Sequence, residues 1–111
     1  MLKKKLRLNL SLEFKKVASG KRIHSTHFSL FLLRELHVPA RVGIALAKKE
    51  FRHSHERNRA RRLMSEVVSK NYNRLSNGLQ LIIMPKAGIL NASINDLTDE
   101  FNSITDLYKA D

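Results

Sequence analysis

Between His27 and Leu33 the side chains alternate. Phe28, Leu30 and Leu32 fall on one side, and His27, Ser29, Phe31 and Leu33 on the other. A period of two is that of a β-strand. A short strand near Arg22–His24 precedes it, and Pro39 breaks the connection that follows. Arg41 to Ala47 alternates again, with Val42, Ile44 and Leu46 opposite Gly43, Ala45 and Ala47. The second of these rows is very small. It leaves room for a close approach, by a packed helix more often than by a ligand. Leu79 to Met84 is a short apolar run stopped by Pro85 and reads as a central strand.

Other stretches repeat at steps of three and four. Residues from Asn9 to Ala18 predict a short helix, with Leu12, Phe14 and Val17 on or flanking one side and Gly20 ending it. A long helix begins at His53 or Ser54 and runs to about Arg74. Its stripe is Ala60, Leu63, Met64, Val67, Val68, Asn71, Tyr72 and Leu75, and Asn77-Gly78 supplies the turn beyond. Ser93 caps a last helix with acidic early turns (Asp96, Asp99, Glu100) and a stripe of Ile94, Leu97, Phe101, Ile104 and Tyr108. The predicted order is α-β-β-β-α-β-α. Helices segregated on one small mixed sheet make this an α+β fold, an α/β sandwich.

The 111 residues are 42% hydrophobic, enough for one modest core and not for two. A single domain over residues 1–111 is expected, with residues 1–8 as a flexible basic arm. The longest apolar run, Leu30 to Leu33, is far short of a membrane span, and no apolar stretch follows Lys3, Lys4 and Lys5 as a secretory signal requires. There is no cysteine, hence no disulfide, no thiolate nucleophile and no Cys-based zinc site. A cytoplasmic location is the simplest expectation.

Charge changes the picture more. Residues 1–74 hold 19 Lys and Arg against 5 Asp and Glu, a balance of +14; residues 75–111 hold 2 against 5, a balance of −3. Solubility alone does not call for such a split. A strongly basic surface attracts polyanions and releases their counterions. Eight Lys and Arg lie between Arg41 and Arg62, at the end of a strand and over the first turns of the long helix. At 100° per residue from Ala60, the apolar stripe centres near about 40°, with Asn58 at about 160°, Arg62 at about 200° and Arg59 at about 260°. These three face away from the core. Arg61 lies at its edge, and Arg57 follows the apolar azimuth one turn early and overhangs the sheet. Arginine's planar fork fits phosphate oxygens and stacks on bases, and asparagine pairs with a base edge or a 2′-hydroxyl. Four arginines oppose the dipole of the helix N-terminus, a cost that a bound anion relieves. A solvated, salt-bridged face is the alternative, but Glu56 and Glu66 are too few to neutralise it.

This segment carries a resemblance. Ala47-Lys48-Lys49, a six-residue spacer and Glu56-Arg57-Asn58-Arg59-Ala60-Arg61-Arg62-Leu63 are similar to the signature of the bacterial ribonuclease P protein family. Phe14, Val17 and Gly20 resemble its first helix, Phe28-Ser29-Leu30-Phe31 its aromatic strand, Arg41-Val42-Gly43-Ile44 the next strand, and Leu81 to Lys86 the last. The resemblance implies the fold shared with a small-subunit ribosomal protein and a domain of elongation factor G, containing a left-handed β-α-β crossover against the usual right-handed rule. It implies a protein that assists a catalytic RNA in cutting the 5′ leader from precursor tRNA. By the resemblance, Lys48, Lys49, Arg52, Arg57, Asn58, Arg59, Arg61 and Arg62 meet the catalytic RNA, while Phe14, Lys15, Phe31 and Lys48 line a cleft for the single-stranded leader. An aromatic on a basic groove stacks on any base, which suits varied leaders. Burial in the core is the competing expectation for Phe14 and Phe31. Two features depart from the family pattern: Ala18 stands where many members have a second aromatic, and the spacer lacks the Gly-Asn-Ala of some.

No other chemistry stands out. His53 and His55 diverge by about 200° on a helix, and the five histidines show no ligand pattern. The basic half has no paired carboxylates, and there is no phosphate-cradling glycine loop. The polypeptide alone is therefore expected to do no chemistry and to bind no cofactor, with Mg²⁺ held by the RNA partner and no stable protein partner. A structural ribosomal-RNA binder without a role in cleavage is the main rival. A DNA-binding module is weaker, because the basic helix follows a strand rather than a first helix and tight turn.

Overall fold

The computed structural model describes residues 2–108. Three helices, α1 (Leu10–Ala18), α2 (Ser54–Asn71) and α3 (Ile94–Thr105), surround four strands: β1 (Lys21–His24), β2 (Phe28–Arg34), β3 (Arg41–Ile44) and β4 (Leu79–Pro85). The sheet order is β1-β2-β4-β3. β1 pairs antiparallel with β2, β2 antiparallel with β4, and β3 parallel with β4. The mixed α+β architecture and the element order are those expected from the pattern.

The alternation of β2 sorts the core into two layers. Phe28, Leu30 and Leu32 join Val42, Leu79, Leu81 and Ile83 against Ala60, Met64, Val67 and Val68 of α2 and Leu97 and Phe101 of α3. On the opposite face Phe31 and Ile82 pack against Val17 of α1 and Leu8. Both faces of the central strands are covered, so β4 reads as an apolar run from Leu81 to Met84, with a single buried polar residue, Gln80, before it.

β3 is shorter than the alternation to Ala47 predicts. Ala45 N–H still donates to the Ile83 carbonyl at 2.9 Å. Completing the next parallel pair requires an N–H at position 85, and Pro85 has none. The ladder therefore ends, and the chain is free to turn at Lys48–Glu50. The small row beside it meets the first residue of α1, the helix expected there, and also Leu8 from the segment before it. A Cβ on Gly43 would stand 2.7 Å from Leu10 Cδ2 and 3.3 Å from Leu8 Cβ.

The segment expected as a flexible arm lies along the edge of β3. Lys4–Leu6 form a 3₁₀ turn, Arg7 bridges Val42, and Leu8 N–H donates to the Val42 carbonyl at 3.1 Å. Among the described residues no helix is long and apolar enough to cross a membrane.

Candidate nucleic-acid interface

The interface begins where β3 hands over to α2. After Ala47 the chain makes a turn in which Glu50 and Phe51 N–H donate to the Ala47 carbonyl at 3.1 and 3.2 Å. Phe51, which the sequence offers only as part of the spacer, is fully buried in the main core. It pins the turn and leaves Lys48, Lys49 and Arg52 exposed around it. The helix then starts at Ser54, and the His53 N–H donates to Glu56 Oε1 at 3.2 Å, half of a capping box.

The first turns of α2 divide as the azimuths predict. Ala60 is buried, while Asn58, Arg59, Arg61 and Arg62 are exposed. Arg57 is half-buried and donates from Nη1 to the Phe51 carbonyl at 2.8 Å. That hydrogen bond ties the turn to the helix. Arg61 donates to Asn58 Oδ1 at 3.2 Å, which orients the asparagine. Lys48, Lys49, Arg52, Arg59 and Arg62 make no ion pair or side-chain hydrogen bond among the described residues.

The reason is where the acids sit. All five carboxylates of residues 1–74 are engaged elsewhere. Glu13 and Glu35 flank Arg41 at 2.9 and 3.5 Å, and Glu35 also pairs with Lys16. The Lys16 hydrogen bond is the main cause that holds the Glu35 carboxyl below its ordinary range. Glu50 accepts from the Ala87 N–H at 3.2 Å, Glu56 caps α2, and Glu66 pairs with Lys70 at 3.1 Å. Arg41 is thereby withdrawn from the cationic set, although it belongs to the same basic stretch of sequence. What remains is a ridge of uncompensated charge at a helix N-terminus, where backbone N–H groups and the dipole also favour an anion.

The aromatic pair lies on the other face of the sheet. Phe14 and Phe31 meet edge to face, with centroids 6.1 Å apart and planes at 69°. Phe31 is 9% exposed and Phe14 half-buried, with Lys15 exposed beside it. The Arg22 guanidinium lies 5.1 Å from the Phe31 centroid. Arg22 was not singled out by its sequence. The signal is its register: it stands directly across from Phe31 in the β1–β2 pair. The Phe31 ring is packed, and an exposed cation covers it. Lys48 is placed in the turn after β3 rather than among the described contacts of the aromatic pair.

No three of the described His, Asp or Glu side chains come together as a metal site. His53 and His55 stack at 5.4 Å with planes 13° apart. His27 pairs with Glu100 at 2.7 Å. Burial pushes the Glu100 carboxyl up, but hydrogen bonds from the His27 backbone and ring and from Ser25 outweigh this and hold it below the ordinary range.

This fold has counterparts. Residues 2–109 match the family described as Ribonuclease P. The Ribonuclease P protein component of Acinetobacter baylyi is 33% identical over 94 residues, spanning 83% of this chain and 71% of that protein. The Ribonuclease P protein component of Finegoldia magna is 33% identical over 67 residues, 60% of this chain and 58% of that one. Among solved structures, the RNase P protein of Thermotoga maritima in complex with 1-(4-fluorophenyl)-2-thiourea superposes with a TM-score of 0.78 at 17% identity, covering 89% of this chain and 96% of that one. The RNase P protein of Staphylococcus aureus gives 0.74 at 15% identity, covering 94% and 95%. Sequence and fold agree: the chain belongs to the ribonuclease P protein family.

Proposed function

We propose that this chain is the protein subunit of a ribonuclease P assembly, binding its catalytic RNA and the 5′ leader of precursor tRNA while the leader is cut away. The observation that carries the reading is the ridge itself, whose cations remain unpaired while every carboxylate of the basic half is engaged elsewhere. A folded RNA supplies the missing anions at the spacing of its phosphates.

The roles divide by geometry. Lys48, Lys49, Arg52, Arg59 and Arg62 supply phosphate contacts. Asn58 and Arg61, oriented by each other, offer an amide and a guanidinium edge to a base or 2′-hydroxyl. Arg57 sets the angle between turn and helix. Phe14, Lys15, Phe31 and Lys48 make up the proposed leader contact. The chemistry belongs to the RNA, whose bound Mg²⁺ supplies the activated water. This chain's own groups bind, orient and neutralise.

Reconstitution tests this. The protein is added to a ribonuclease P RNA at low Mg²⁺, and cutting of precursor tRNA is followed on a gel. Stimulation of cleavage at the mature 5′ end is the expected result. RNA binding without stimulation would refute the reading and leave a structural RNA binder.

A further inference from the structure

Along the outer edge of β3 the N-terminal segment and α2 line a cavity of about 190 Å³. Leu8, Val42 and Ile44 make its apolar floor, Arg7 and Arg61 flank it, and Ser69 stands in the α2 wall. Both arginines are exposed and neither has an ion-pair partner among the described residues. Ser69 Oγ is shielded from solvent and lacks a hydrogen-bond partner among the described residues. Buried hydroxyls are nearly always satisfied, so an orphan one calls for an explanation.

We infer that this cavity receives one unstacked nucleobase of the RNA partner, with the adjoining phosphate held between Arg7 and Arg61. The size limits the occupant: drug-sized ligands need about 300–1,000 Å³. The lining then selects. A splayed-out nucleotide has an apolar face for the floor, a polar edge for the serine hydroxyl and an anion for the two guanidinium groups. No other group of that size combines the three on a polyanion. Arg61 also belongs to the ridge, so the cavity continues the same surface around α2. The inference rests on the RNA-binding reading and deepens it, because phosphate contacts position an RNA but a pocketed base specifies one.

Nucleoside 5′-monophosphates are titrated into the ¹⁵N-labelled protein, with ribose 5-phosphate as the control lacking a base. At least one nucleotide is expected to shift the Gly43, Ser65 and Ser69 amides saturably, about tenfold more tightly than ribose 5-phosphate, a difference of one decade in Kd. Ser69→Leu fills the cavity. It should erase that tenfold preference while the melting temperature holds, and Ser65→Leu serves if the first variant does not fold. Equal binding of ribose 5-phosphate, or shifts confined to residues 57–62, would overturn the inference. Arg59→Ala separates the two readings: it should weaken binding of the full RNA and leave the nucleotide shifts at Gly43 in place. Intact ridge-dependent RNA binding with no nucleotide response removes the pocket alone.

Discussion

Arg59→Ala and Arg57→Ala lie two residues apart in one basic motif, yet the structure assigns them different outcomes. Arg59 is exposed and makes no side-chain hydrogen bond or ion pair among the described residues, so its removal is expected to delete a phosphate contact without breaking a polar contact of the fold. Each neutralised phosphate contributes about 0.7–0.9 to the slope of log K against log salt. The five unpaired cations Lys48, Lys49, Arg52, Arg59 and Arg62 therefore predict a slope of about −4 from the ridge. Arg59→Ala should flatten it by about one unit at an unchanged melting temperature. Between 50 and 150 mM salt the wild type should lose about two- to threefold more affinity than the variant. Arg57 instead donates to the Phe51 carbonyl that anchors the turn. Arg57→Ala gives up a charged hydrogen bond at a half-exposed site, about 1 kcal/mol, or roughly 4 °C in melting temperature for a chain of this size. Filter binding across a salt series, paired with thermal unfolding, reads both quantities. An unchanged slope for Arg59→Ala, or a large fall in its melting temperature, would refute the assignment of that side chain to RNA.

Other outcomes follow from the same geometry. Arg62→Ala should repeat the Arg59 result, one unit of salt slope without loss of stability, in the same two assays. Arg22→Ala uncovers Phe31 and should cost at most about 1 kcal/mol of stability in urea unfolding; in the reconstituted enzyme it should weaken binding of leader-bearing precursor more than of mature tRNA, and equal effects would place the aromatic pair in the core alone. Gly43→Ala would set a methyl 2.7 Å from Leu10 Cδ2, the movable end of a half-buried side chain, and 3.3 Å from Leu8 Cβ, so it should destabilise by about 1 kcal/mol at most, also read in urea. Glu100 has a lowered folded-state pKa, so its contribution to stability is present above the unfolded pKa, about 4.3, and is lost as pH falls through the lower folded value. Glu100→Gln should be less stable than wild type at pH 7, and the difference should shrink as acid protonates Glu100, which melting curves from pH 7 to 3 will show.

Much of this was legible along the chain because it depends on local periodicity. The alternation around Phe28–Leu33 and the stripe from Ala60 to Leu75 each follow from one element meeting one apolar layer, and the same rule located the buried side of α3. The Ser93 cap was equally local, and its hydroxyl accepts from the Asp96 N–H at 3.1 Å. The outward azimuths of Asn58, Arg59 and Arg62 needed only the helical repeat. Contacts between distant segments decided the rest. That β3 ends at Ile44 depends on a proline in the strand beside it, 41 residues later in sequence, so no window around β3 contains the cause. Phe51 looked like spacer because its burial comes from helices and strands on either side of it in the chain. Arg41 and Arg59 are the same residue type in the same basic run, and only the fold brings Glu13 and Glu35 to one and no carboxylate to the other. Charge along a sequence is a sum over residues, but neutralisation is a distance between them, and distance is set by packing.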